Sequence, residues 1–328
     1  MSTSNTPPRT PPRVSLHPPF GASPTHHGQA SSGASPSAHA LGLSDVVGGA
    51  WHLAEWGWSI AQRHAWLEGC VALGVTSFDH ADIYGDYQTE PLFGQVLAKV
   101  PSLRARMQLV SKCGIRMVSP QRPQHQLKSY DTSAAHITAS VETSLRALQT
   151  DYLDLLLIHR PDALLDADEV ARCFERLRQS GKVRHFGVSN FKPRQFELLN
   201  SRIALVTNQV ECSPLNLDVL HDGTFDQMQQ LRLRPMVWSP LGGGRLFSEA
   251  DPVAARVRPV MQEIATRLGV SLTTLALAWL MRHPSRPRPV IGTRRISVAQ
   301  EAMAATRLRL DASDWYRIWQ ASTGREGP

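Results

Sequence analysis

Four side chains able to hold or move a proton follow short apolar runs in the first half of the chain: Asp79, Tyr84, Lys112 and His159. A phenol with a pKa near 10 is a poor proton donor at neutral pH unless a nearby cation stabilises its anion. Lys112 can supply that cation. Asp79 can hold the lysine charged and in place, and His159 can hydrogen-bond the oxygen that Tyr84 protonates. Taken singly, each has a plain structural meaning, since a buried histidine is usually a satisfied core residue and an Asp–Lys pair is usually structural. Four of them at the ends of three successive apolar runs point to a site. His80 and Asp82 lie in the same stretch, "TSFDHADIYGDYQTE" at 76–90, and are expected to be loop-structuring neighbours rather than members of the set.

The elements that must carry these residues alternate along the chain. Short β-rich runs ("DVVGGAW", "GVTSFDHA", "MQLVSKC", "YLDLLLIHR", "VRHFGVSN", "ALVTNQVE", "RPMVWSP", "RPVIGT") are separated by segments with helical periodicity. One of these places Ile137, Val141, Leu145 and Leu148 on a single apolar face. Another, "DADEVARCFERLRQSGKV", has acids early, bases late and Gly181 as a stop. Eight strand–helix units predict a (β/α)8 TIM barrel over residues 43–328, with chemistry at the C-terminal ends of the strands. A doubly wound sheet would call for a Gly-x-Gly-x-x-Gly turn after its first strand, and "GGAWHL" lacks that spacing. Two further pieces, "VSLTTLALAWLMRHP" and "DASDWYRIWQAS", are expected as additional C-terminal helices at the barrel's ends.

The loops after strands seven and eight have a different character. Gly242, Gly243, Gly244 and Arg245 follow one, and Gly292, Thr293, Arg294 and Arg295 follow the other. Glycine-rich backbone and a helix N-terminus at these positions favour a phosphate-bearing ligand.

Composition narrows the classes. The formal net charge is +7, from 30 Arg and 5 Lys against 28 acids, but no Lys/Arg run exceeds two residues and no nucleic-acid motif occurs; a solvated basic surface or an anionic small ligand accounts for it. No apolar run approaches the roughly 20 residues of a bilayer span. Cys70, Cys113, Cys173 and Cys212 show neither disulfide-framework nor zinc spacing, which favours a reducing, cytoplasmic location. Cys113 directly follows Lys112, so a reactive thiol is a secondary reading. Residues 1–42, proline- and serine-rich and without Asp or Glu, are expected to be a disordered tail.

The motifs "GVTSFDHADIYGDYQTE", "LVSKCGI", "LRALQTDYLDLLLIHRPD", "GKVRHFGVSNF", "TNQVECSPL", "WSPLGGGRLF" and "VIGTRR", in this order, resemble the aldo/keto reductase family, in particular its bacterial YdhF-like branch, across residues 43–322. The resemblance implies a catalytic tetrad of Asp79, Tyr84, Lys112 and His159, no metal, and hydride transfer from a nicotinamide to an aldehyde or ketone with Tyr84 as proton donor. It places the carboxamide with Ser189, Asn190 and Gln209 and the nicotinamide ring on Trp238. Ser239, Pro240, Leu241, Gly242 and Arg245 would line the pyrophosphate, and Gly292, Thr293, Arg294, Arg295, Gln300 and Glu301 the adenosine end. Arg294 and Arg295 offer forks for a ribose 2′-phosphate, which favours NADP(H) over NAD(H). The pattern departs from the family at Ala302 and Val298, both near the adenosine end. A small-molecule carbonyl pocket would be walled by Trp51, His52, Trp56 and the loop from Gly114 to Thr132. The same resemblance leaves room for a cofactor-binding regulatory subunit of the channel β-subunit type. An aldolase-like Schiff base on Lys112 is a third, weaker reading.

Overall fold

All eight β-rich runs become parallel strands of one closed barrel in the computed structural model, which describes residues 41–326. The strands are β1 (Val47–Gly49), β2 (Ser77–Asp79), β3 (Gln108–Cys113), β4 (Leu153–Ile158), β5 (Val183–Ser189), β6 (Asn208–Glu211), β7 (Met236–Trp238) and β8 (Arg288–Ile291). They neighbour one another in chain order, and β8 closes on β1. The tail expected over 1–42 lies outside the described residues except for its last two. Of those, Leu41 is buried, so the packed part of the chain begins earlier than the sequence suggested.

The barrel interior explains where chemistry can sit. Side chains alternate between the inside and the outside of a strand with period two. Leu41, Leu43, Val47, Val110, Leu155, Leu157, Met236 and Val290 form one buried interior cluster. Moving two residues toward the C-terminal end turns Val110 into Lys112 and Leu157 into His159. The same step takes Ser77 to Asp79, so an apolar plug supports a polar layer at the mouth.

The helices follow their sequence signals. Helix α1 (Ile60–Ala72) starts on a Ser59–Gln62 capping box, and α2 (Thr89–Lys99) follows β2. In α3 (Ala134–Leu148), Ile137, Val141, Leu145 and Leu148 are all buried. Asp166 caps α4 (Ala167–Gln179) by accepting from the backbone N–H groups of Asp168 and Glu169. Next come α5 (Pro193–Asn200) and α6 (Thr224–Gln230).

Between β7 and β8 lie two helices, α7 (Pro252–Leu268) and α8 (Leu272–Met281), and after β8 come α9 (Ile296–Ala305) and α10 (Ala312–Thr323). The segment "VSLTTLALAWLMRHP" therefore runs straight into β8 as a regular barrel helix. The extra helix is α7, against which α10 packs through the cluster containing Met261, Ile264, Ile318 and Trp319. The indole N–H groups of Trp279 and Trp315 donate to each other's backbone carbonyls at 3.2 and 3.1 Å.

Helices α2 and α3 approach closely at Gly94, where a Cβ would stand 1.9 Å from the Ala147 carbonyl oxygen. Because that obstacle is backbone, Gly94→Ala is expected to force the helices apart and cost about 1–3 kcal/mol, as overpacking does. Urea denaturation monitored by circular dichroism checks this; an unchanged midpoint would mean the helices separate freely.

Candidate active site

The strand ends converge as their chemistry requires. Lys112 Nζ, buried at the end of β3, donates to Asp79 Oδ2 at 2.7 Å, to the His80 backbone carbonyl at 2.8 Å and to Tyr84 Oη at 2.9 Å. The second carboxylate oxygen of Asp79 accepts from Gln209 Nε2 at 2.8 Å, which ties β2 to β6 across the mouth. The His159 ring stands edge-on to Tyr84, with centroids 5.8 Å apart. Tyr84 itself sits on a backbone bent by left-handed residues, with φ of 56° at Gly85, 55° at Asp86 and 64° at Tyr87. A Cβ at Gly85 would lie 2.6 Å from Thr89 Oγ1, so the turn depends on glycine. The Tyr87 hydroxyl accepts from the Met117 N–H at 3.3 Å, bracing the turn against the next loop.

In the buried layer beneath the cleft, charge centres on the Lys112–Asp79 pair. Burial is the largest influence on Lys112 and acts to lower it, yet Asp79 and Tyr84 together raise its ammonium above the ordinary range. Burial also raises the Tyr84 phenol, and the opposing pull of Lys112 does not cancel it. From sequence, the cation is expected to make this phenol more acidic; that pull exists, but burial outweighs it and the hydroxyl keeps its proton. His159 is held well below the usual imidazole range, first by burial and then by Lys112, Arg160 and Lys128, so its ring is neutral.

Below and beside this pair lies a second polar layer. His80 is fully buried with no hydrogen-bond partner on either ring nitrogen among the described residues, packs edge-on to Phe93 at 4.4 Å, and is pushed down to about 3 by burial and Lys112. Glu90 accepts from Ser111 Oγ at 2.5 Å and is raised, chiefly by burial. Asp82 keeps some exposed surface, but its Oδ1 is sealed and unpartnered while Oδ2 accepts from Ser140 at 3.1 Å. Burial and then Glu90 push the Asp82 carboxyl up to about 8. Neither His80 nor Asp82, which the sequence expected to be loop-structuring neighbours, lines the cleft. Cys113 is buried and its thiol raised well above its ordinary value, so the reactive-thiol reading does not hold.

A cleft of about 720 Å³ opens over the tetrad and runs to the loops after β7 and β8. Asp79, Tyr84 and His159 face it, as do Ser189, Asn190, Gln209, Trp238, Ser239, Pro240, Leu241, Gly292, Thr293 and Arg295, with Trp51 and His52 at the mouth. Trp238 donates its indole N–H to Asn190 Oδ1 at 3.0 Å, and Asn190 Nδ2 donates to Ser189 Oγ at 2.7 Å. The turn after β7 also places Gly243 and Gly244 along the wall.

Several expected residues are not on the cleft. Trp56 turns onto Trp66 and Trp58, at 5.3 and 4.7 Å, and is part of the packing around the core. Gly242 is buried, and a Cβ there would meet Leu215 at 2.7 Å, so it serves the turn. Arg245 points outward to Asp251, the N-cap of α7, at 3.1 Å. Arg294 is exposed, and Gln300 and Glu301 lie further along α9; none of them lines the cleft. Thr273 and Val298 take that wall instead. Sequence reasoning also missed Arg160, Asp86 and Phe247. Arg160 could have been found, because it directly follows His159 at a strand end. The segment 114–132, expected as a loop, contains a two-residue antiparallel ladder, Ile115–Arg116 with Ser129–Tyr130, and lends Ile115, Met117 and Lys128 to the cleft.

A closed (β/α)8 barrel with a buried carboxylate–ammonium–phenol chain at the C-terminal mouth defines a class of barrel enzymes whose chemistry sits at the strand ends. Residues 45–322 match the aldo/keto reductase family model, and the chain belongs to that family as an NAD(P)H-dependent oxidoreductase. It is 49% identical over 289 residues to oxidoreductase YdhF of Escherichia coli, covering 87% of this chain and 96% of that one. It is 43% identical over 289 residues to a 6-dehydroglucose reductase of Agrobacterium fabrum, covering 87% and 96%. A solved aldo/keto reductase from Klebsiella pneumoniae, in complex with NADP and acetate, superposes with a TM-score of 0.69 at 27% identity, covering 86% and 93%.

Asp82 gives a stability test. The unfolded chain releases this proton near 3.8 and the folded chain near 8. Between those values the folded state binds more protons, so its stability falls as pH rises through the window. Asp82→Asn removes the effect: its melting temperature is expected to match the wild type near pH 4 and to exceed it increasingly up to about pH 8, where the stability gap is on the order of a few kcal/mol. Thermal melts across pH decide this, and a gap independent of pH would contradict it.

Proposed function

We propose that this chain reduces an aldehyde or ketone with NADPH, with Tyr84 donating the proton to the carbonyl oxygen. The observation that carries the proposal is the position of Lys112 Nζ, within 2.7 Å of Asp79 and 2.9 Å of Tyr84 at once. It places a fixed ammonium against the phenol oxygen, where negative charge develops as the proton leaves. Neutral His159, whose ring stands beside Tyr84, can donate a hydrogen bond to the same carbonyl oxygen.

The residues present fit a nicotinamide dinucleotide. Gln209 uses its amide nitrogen on Asp79 and leaves its carbonyl oxygen toward the cleft as an acceptor for a carboxamide. Trp238, pinned by Asn190, offers a flat indole face. Gly243 and Gly244, with φ of 63° and 90°, and Gly292, with nothing closer than 3.8 Å to a Cβ position, let backbone approach a phosphate. Bound there, the reduced nicotinamide supplies the hydride that reaches the carbonyl carbon. The protein orients the carbonyl and stabilises the charge on its oxygen.

Arg295, the N-cap residue of α9, lines the end of the cleft beside the loop after β8 and supports NADPH over NADH. The name of the Agrobacterium relative supports an oxidised sugar as the carbonyl substrate. Lys128, Arg160 and Asp86 around the mouth provide donors and acceptors suited to hydroxyl groups.

Tyr84→Phe is expected to lower kcat at least about 100-fold while leaving NADPH affinity unchanged. NADPH oxidation against aldehydes and ketones, alongside a binding titration, measures both. Equal loss of both would remove Tyr84 from the proton-donor role, and tight binding with no turnover on any carbonyl would favour the regulatory-subunit reading. Arg295→Ala is expected to weaken NADPH about tenfold, some 1.4 kcal/mol, and NADH little. Parallel titrations with the two nucleotides test it, and an equal loss for both would place Arg295 outside the 2′-phosphate contact.

A further inference from the structure

At the opposite end of the barrel, strands β7 and β8 begin side by side. Arg288 is paired with Met236, and its backbone N–H donates to the Pro235 carbonyl at 2.8 Å. Met236 and Val290 belong to the interior cluster, so Arg234 and Arg288, each two residues earlier, lie beneath it. Arg234 donates through Nη1 to Asp45 at 2.7 Å and through Nε to the Arg286 carbonyl at 2.7 Å. Arg286 is presented by a left-handed turn, with φ of 50°. Arg288 is half-buried, and its Nε is sealed from solvent with no acceptor among the described residues.

We propose that Arg234, Arg286 and Arg288 form an oxyanion-binding site at the N-terminal end of the barrel, distinct from the cleft over Tyr84, that takes a phosphate or the phosphoryl group of a larger ligand. Arg234 engages Asp45, and Arg288 on the neighbouring strand feels the charges of Arg234, Asp45 and Arg286 together. A half-buried guanidinium with an unused donor is costly, and a planar fork of N–H groups matches a tetrahedral oxyanion. Burial, then Arg234, lowers Arg288 to about 10, which leaves it charged at neutral pH while recording how closely the cations crowd. Residues 1–40 contain no Asp or Glu, so that part of the chain has no carboxylate side chain to offer the site.

The test is thermal melting of the full chain with saturating NADPH, which occupies the phosphate contacts of the cleft, while inorganic phosphate is titrated at constant ionic strength set with sodium chloride. Binding of NADPH itself is scored separately, by the melting shift without phosphate, so a failure of the cofactor reading is seen on its own. A saturable rise in melting temperature is expected. It should be lost in Arg288→Met and shifted to about tenfold higher phosphate in Arg286→Gln. Without phosphate, Arg288→Met should melt no lower than the wild type, because it removes an incompletely paired buried charge. If Arg288→Met does not fold, the exposed Arg286→Gln carries the comparison. A phosphate monoester run in parallel separates the free ion from a phosphoryl group, and either one, if saturable and arginine-dependent, supports the site. No rise, a rise that chloride reproduces, or one unchanged in both variants would overturn it.

Discussion

The ammonium of Lys112 has three N–H donors, and the fold supplies three acceptors: Asp79 Oδ2, the His80 carbonyl and Tyr84 Oη. A buried charge can persist only when it is paired and its hydrogen-bonding capacity is used. That requirement dictates much of the barrel mouth. Asp79 must end β2 facing inward, β3 must run beside it in the register that pairs Asp79 with Val110, and the turn after β2 must bring Tyr84 back over the lysine. Gln209 on β6 then holds the free oxygen of Asp79 and extends the network to the opposite wall. Removing Asp79 would leave an uncompensated buried cation, so the pair is as much a condition of the local fold as a chemical device.

Around that ion pair the protein suppresses other charge. His80 and His159 are driven toward the neutral imidazole, and Asp82 and Glu90 toward the neutral acid, in each case mainly by burial. The result is a low-dielectric floor with one fixed cation close to the phenol. An electrostatic interaction is strongest where few competing charges and little water screen it. Biasing these four groups toward their uncharged forms keeps the field of Lys112 directed at Tyr84, at some cost to stability.

The barrel and the tetrad were legible because both depend on strand periodicity. Leu157 followed two positions later by His159, and Val110 by Lys112, are local patterns, and the structure places Asp79, Lys112 and His159 at the mouth for that reason, while the turn after β2 brings Tyr84 to them. The far end of the cleft was less legible, because its side chains sit on helices and turns whose facing is set by packing. Arg245 finds Asp251 six residues away and turns outward, while Trp56 has a tryptophan cluster to join. Thr273 and Val298 reach the cleft only through the packing of α8 against α9, which no local sequence signal encodes. The misassigned extra helix has the same origin: α8 is buried on nearly every side, and its sequence does not reveal that it, rather than α7, leads into β8.

Backbone strain marks where the two kinds of information meet. Asn190 and Ser239 follow β5 and β7 directly, and both are non-glycine residues with positive φ, 61° and 48°. Such conformations cost on the order of 1–3 kcal/mol and persist only when their surroundings enforce them. Here the Asn190 N–H donates to the Gln209 carbonyl at 2.9 Å, and its side chain links Ser189 to Trp238. The strained residue therefore fixes the indole plane relative to the strand ends that carry Asp79 and Lys112. A relaxed backbone at Asn190 would redirect that amide and free the indole, loosening the flat wall of the cleft relative to the strand ends that carry Asp79 and Lys112.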